Sequence, residues 1–181
     1  MVTWLESIKA EVEGGLSIEY KTFSLDQQNS QESPDFMMWE HPDYPARGVA
    51  ALAASKAAKG QGEKSFLSFH LATFRARHHE DRDIADLEVL TNIARDAGLD
   101  LARFEQDLNK KETWQAVGKD HMESKRKYDA FGVPTVVFKK GQAIFIKLGS
   151  LPESKKERLS LFGFVSDMGA KRPYLRELKR P

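Results

Sequence analysis

The chain has no cysteine among its 181 residues. Intramolecular disulfides, thiolate metal sites and cysteine nucleophiles are therefore excluded from it outright. It also has little net charge: 28 Lys and Arg stand against 27 Asp and Glu, a formal balance of +1. No global field then draws it to nucleic acid, an anionic membrane or an acidic substrate, and any such partner needs a local patch. No apolar run approaches the ~20 residues that a membrane-spanning helix requires. The opening Met-Val-Thr-Trp-Leu-Glu-Ser lacks the basic region and apolar stretch of a secretory signal. No membrane partner and a cytoplasmic location are expected on these grounds. What is present, 40% hydrophobic, 30% charged and 10% aromatic residues, is the composition of a folded globular chain.

Val2, Leu5, Ile8 and Val12 recur at helical spacing, and Gly14-Gly15 close the pattern. From Leu16 to Phe23 the period becomes two, with Leu16, Ile18, Tyr20 and Thr22 alternating with Ser17, Glu19 and Lys21, which predicts a strand. Residues Asp26 to Pro45 are rich in Gln, Asn, Ser, Asp and Pro and read as a long loop. Its Phe36, Met37, Met38, Trp39 and Tyr44 are too apolar for a free linker and are expected to pack against the body.

Helical periodicity dominates from Arg47 to about Asp129. It is broken at Gly60-Gln61-Gly62 and at Gly98, with Asp100 placed to cap a short helix carrying Leu101, Phe104 and Leu108. Trp114, Val117, His121 and Tyr128 then line a long helix. Thr135 to Phe138, a Lys139-Lys140-Gly141-Gln142 turn and Ala143 to Ile146 predict a β-hairpin of β-branched and aromatic arms. A closing helix is expected from a capping box at Ser150 and Glu153, with Pro152 in its first turn and Gly169 at its end.

The order helix, strand, helical block, hairpin, helix, with Phe131-Gly132-Val133-Pro134-Thr135 leading into the hairpin, resembles the DsbA-like thioredoxin-fold family of thiol-disulfide oxidoreductases. Ile18 to Leu25 is similar to the family's second strand and the corner after it, Ala97-Gly98-Leu99-Asp100 to its insertion, and Arg172-Pro173-Tyr174-Leu175 to cytoplasmic-type members. The resemblance implies an α/β, thioredoxin-like fold with a helical insertion between its βαβ and ββα halves. Residues 1–46 and 130–181 would form the thioredoxin-like part and 47–129 the insertion. It further implies that Pro134 is cis and that Val133, Pro134 and Thr135 dock a polypeptide or a small thiol ligand beside the first helix, where Thr3 and Trp4 lie.

One departure is large. The family's first strand and Cys-x-x-Cys motif belong immediately before the helix containing Trp4 and Leu5, where this sequence has only Met1 to Thr3. The expectation is an N-terminally shortened oxidoreductase, or else a short protein whose sheet gap is closed by the flanking strands or by a partner's strand. Disulfide exchange is thus expected of a longer protein and not of this chain. The alternatives are a redox-inactive module that binds peptide at the proline loop, and a relative of glutathione-dependent transferases and isomerases using the Thr3 hydroxyl. No cofactor is implied, and an open sheet edge favours a homodimer.

The remaining features are read as structural. His78-His79-Glu80-Asp81-Arg82-Asp83 has no partner histidine motif of ligand spacing nearby, so no metal is expected. His70 and His121 fall on apolar helical faces as satisfied core histidines. The basic tail Lys171 to Pro181 is mixed with Glu177 and reads as solvated, with no nucleic-acid partner.

Overall fold

The computed structural model describes residues 2–138 and 142–174. They form, in order, α1 (Val2–Ile8), α2 (Leu25–Gln28), α3 (Val49–Lys59), α4 (Glu63–His78), α5 (Leu87–Asp96), α6 (Leu101–Leu108), α7 (Lys111–Tyr128), β1 (Thr135–Val137), β2 (Ala143–Phe145) and α8 (Lys155–Lys171). The chain divides into two compact units, Met1–Tyr20 with Ser124–Pro181, and Lys21–Glu123. The turn expected at 139–141 and the tail residues beyond 174 lie outside the described residues.

The first unit is built on α1, the hairpin and α8. Trp4, Leu5 and Ile8 from α1 and Val165 from α8 are its buried centre, with Leu16, Phe138, Ile146 and Phe162 packed around them. The two strands pair antiparallel, Thr135 opposite Phe145, Val136 opposite Ile144 and Val137 opposite Ala143. Gly169 lies inside α8 rather than at its end. A Cβ there would overlap the Phe138 ring and come within 3.2 Å of Ile144 Cδ1, so the helix seats the hairpin only because residue 169 has no side chain. The start of α8 also differs from expectation: the capping box is Ser154 with Glu157, whose backbone N–H donates to Ser154 Oγ at 3.2 Å. Leu151 precedes Pro152 and is disfavoured in the helical region, so the helix begins one turn later than Ser150 would start it.

Leu16 to Phe23 is not a strand. Its alternation is real, because Leu16, Ile18, Tyr20 and Thr22 are half-buried while Ser17, Glu19 and Lys21 are exposed. A strand also needs a neighbour to exchange backbone hydrogen bonds, and among the described residues the sheet holds only β1 and β2. The Thr22 N–H donates instead to Asp120 Oδ2 at 2.9 Å, and the Ser24 N–H to His121 Nδ1 at 3.2 Å.

The second unit is a helical block. Its core gathers Val49, Ala53, Ala54 and Ala57 of α3 with Phe69, Leu90, Ile93 and Phe104 of the next three helices. The small residues of α3 let its neighbours approach closely, and helix ends are set by the capping residues: Asp86 accepts from Glu88 N, and Asp100 from Arg103 N. Within the long loop, Met38 and Trp39 are buried. The Trp39 indole lies against α7 where Gly118 leaves room, and a Cβ at 118 would overlap it.

On α4, His70 is packed between Phe66, stacked at 5.0 Å, and Phe74, edge-on at 4.9 Å. Burial holds its imidazole down to about 4 from the ordinary 6.5. The folded state keeps the ring neutral while the unfolded chain protonates it, so this contribution to stability is fully present above pH 6.5 and is lost as pH falls towards 4. The window from 6.5 to 5 is worth about 2 kcal/mol at ~1.36 kcal/mol per unit. Urea midpoints at pH 7.5 and pH 5 are expected to show this loss in the wild type and a loss smaller by about that amount in His70→Leu. Equal losses in both would show that the ring titrates normally.

Candidate functional site

The Phe131–Thr135 loop leaves α7 through Asp129, whose φ of 51° reverses the chain. Two hydrogen bonds then fix it: Thr135 Oγ1 donates to the Gly132 carbonyl at 2.7 Å, and the Ile146 N–H donates to the Pro134 carbonyl at 3.0 Å. The Val133–Pro134 peptide bond is cis. Between these anchors Val133 is 42% exposed. Its backbone N–H and C=O make no hydrogen bond to the described residues. An unpaired donor and acceptor on one exposed residue is the element that an extended polypeptide pairs with when it adds to a sheet edge.

An apolar surface adjoins it. Phe131 is 64% and Phe145 39% exposed, their rings 5.0 Å apart. Gly132 sits beneath: a Cβ there would lie 3.3 Å from Phe145 Cε2, so the ring rests against the bare backbone of the loop. The same face of the hairpin carries Val137, directly opposite Ala143 and two residues from Thr135.

Val133, Pro134 and Thr135 thus lie together, whereas Thr3 and Trp4 have different surroundings. Thr3 is exposed in the first turn of α1. Trp4 is fully buried, its Nε1 donating to the Arg158 carbonyl at 3.0 Å and its ring edge-on to Phe162. Among the described residues no hydrogen bond or ring contact joins either one to the proline loop. Two surface cavities of about 210 and 450 Å³ adjoin Pro45 and Ala46, and none of these five residues lines them.

Sequence reasoning missed one buried polar cluster. Asp120 on α7 is only 6% exposed, and it is paired with Lys56 of α3 and with Lys21 at 3.7 Å. It also accepts from the Thr22 N–H and, at 3.2 Å, from the Thr22 hydroxyl. Burial opposes its ionisation most strongly, but the hydrogen bonds from Lys56 and Thr22 and the charges of Lys56 and Lys21 together hold it below the usual carboxylate range. The available signal was a carboxylate three residues after Val117 and beside His121, on the apolar face of an otherwise solvated helix.

His78 and His79 are exposed, and no three histidines or carboxylates are grouped to hold a metal ion among the described residues. At the end of α8, Lys171 and Arg172 both pair with Asp167, at 3.1 and 2.7 Å. No helix among the described residues is long and apolar enough to cross a membrane.

A family model described as the DSBA-like thioredoxin domain matches residues 5–152 of the sequence. No curated protein matches it.

Proposed function

Because the chain belongs to the DSBA-like thioredoxin domain family, we propose that it binds extended polypeptide on the Val133-Pro134-Thr135 loop and performs no thiol chemistry of its own. The observation that carries this is Val133, a 42% exposed residue whose N–H and C=O have no partner among the described residues. An incoming main chain would satisfy both, and its side chains would meet Phe131 and Phe145. In the same reading, residues 47–129 are a helical insertion between the two halves of a thioredoxin-like domain formed by 1–46 and 130–181.

Disulfide exchange, the activity that the family resemblance implies, requires a cysteine pair that this sequence does not contain. If these residues form part of a longer protein that supplies the pair, the same loop would present the substrate backbone to it. The intact mass of the native product under non-reducing conditions separates the two cases: a heavier species with two cysteines supports an oxidoreductase, and 20.5 kDa supports a binding module.

The binding claim is tested by calorimetric titration of an unstructured, apolar-rich peptide. Val133→Arg places bulk and charge on an exposed position and is expected to weaken binding about tenfold, the equivalent of one good interface contact. The unfolding midpoint should stay near wild type, and affinity should be the same with and without reductant. Unchanged affinity in Val133→Arg would remove the loop from the binding surface.

A further inference from the structure

His121 is 2% exposed, held between the rings of Phe23 at 4.5 Å and Trp39 at 5.4 Å. A backbone N–H can only donate, so the 3.2 Å bond from Ser24 N requires a lone pair on Nδ1 and places the ring proton on Nε2. The neighbouring Thr22 N–H is held in a different way, by the ionised carboxylate of Asp120. Consecutive side chains of α7 therefore grip alternate amides of one extended segment, one through a carboxylate and one through a neutral imidazole. We propose that His121 is a proton-operated latch: neutral, it fixes Ser24; protonated at Nδ1, it presents an N–H to the Ser24 N–H and lets the segment go.

The consequence extends along the chain, because Ser24 is more than an amide donor. Its hydroxyl accepts from Gln27 N at 3.0 Å and so caps α2. The Gln27 side chain in turn donates to the Phe36 carbonyl at 2.9 Å and accepts from Met38 N at 2.8 Å. Opening the latch therefore loosens the whole turn from Phe23 to Gln28 and its hold on the loop that carries Met38. Beside His121 on its own helix, Asp120 is paired with Lys56 of α3 and with Lys21 of the extended segment. The 3-10 helix Met38–Glu40 contributes the uncharged Trp39 ring, and the carboxylate of Asp26 on α2 accepts from the Gly48 N–H at 2.7 Å. Lys56 and Lys21 keep Asp120 ionised and hydrogen-bonded to Thr22, which makes the Thr22 amide an internal reference that the same acidification leaves in place.

NMR on the full chain tests the latch through two readouts. The imidazole nitrogen shifts at pH 8 should report a ring with Nδ1 unprotonated and Nε2 protonated. Amide exchange protection at Ser24 should fall about tenfold as the nitrogen shifts report proton uptake at Nδ1, the loss of one hydrogen bond, while protection at Thr22 holds. In His121→Asn the Oδ1 atom takes the place of Nδ1 as an acceptor without a proton-binding site, and the fall at Ser24 should vanish. A ring protonated on Nδ1 at pH 8 overturns the proposal whatever the variant does. So does Ser24 protection that is flat with pH in the wild type, or that falls equally in His121→Asn.

Discussion

Asp120→Ala is expected to cost about 3 to 5 kcal/mol of folding stability, the range for breaking one side of a buried ion pair. The size follows from what is left behind. Lys56, whose side chain is 17% exposed, would keep a charge with no counterion, and the Thr22 N–H and hydroxyl would lose their acceptor. Asp120→Asn together with Lys56→Met is expected to recover most of the loss, since the amide still accepts from Thr22 and neither charge remains to be desolvated. A double-mutant cycle on urea unfolding measures this coupling. The acid limb carries the same signature. A carboxyl held below its ordinary value contributes stability that is present above pH 3.8 and is lost as pH falls through its folded value. The increment lost below about pH 4 should therefore be smaller in Asp120→Asn than in the wild type.

Trp4→Ala should cost a similar amount, about 3 to 5 kcal/mol, as for other large buried aromatic residues cut back to alanine. Trp4 fills the centre of the first unit between Leu5, Ile8 and Val165, and its indole N–H is bonded to the Arg158 carbonyl. Trp4→Phe keeps most of the volume and should cost less than half as much. Thermal melts of the two variants give the comparison. If instead Trp4→Ala melted near the wild type and lost peptide affinity, the residue would belong to the ligand surface and its packing role would be wrong.

Much of the fold was legible because local chemistry and periodicity agreed. The break between α3 and α4 falls at Gly60 to Gly62, Asp100 caps α6, and the hairpin arms pair as their β-branched and aromatic residues predict. The capping box of α8 was misplaced by one turn because Ser150 with Glu153 and Ser154 with Glu157 satisfy the same spacing. The restriction that Pro152 places on Leu151 decides between them, and it was already present in the sequence. The segment from Leu16 to Phe23 shows the opposite limit. Alternation reveals which side chains face inward, but a strand is a relation between two segments, and a single segment's pattern cannot state its partner.

The candidate site was found through the resemblance carried by Phe131 to Thr135, not through periodicity. Its apolar platform joins Phe131 to Phe145, which are separated by the turn and meet only once the hairpin forms. The grip of Asp120 and His121 on Thr22 and Ser24 was harder to read, since those partners lie 97 or 98 residues apart in sequence. The helical spacing of His121 marks it as a core residue, but nothing in that spacing names the amide it accepts from.

The most direct test of the account is a two-dimensional NMR titration of the full chain with an unstructured, apolar-rich peptide, run with and without reductant. Shift changes are expected to concentrate at the Val133 amide and at Phe131, Thr135 and Phe145, and to be identical in both conditions. Changes confined to other residues, such as those around Pro45 and Ala46, or no change at a saturating peptide concentration, would contradict it.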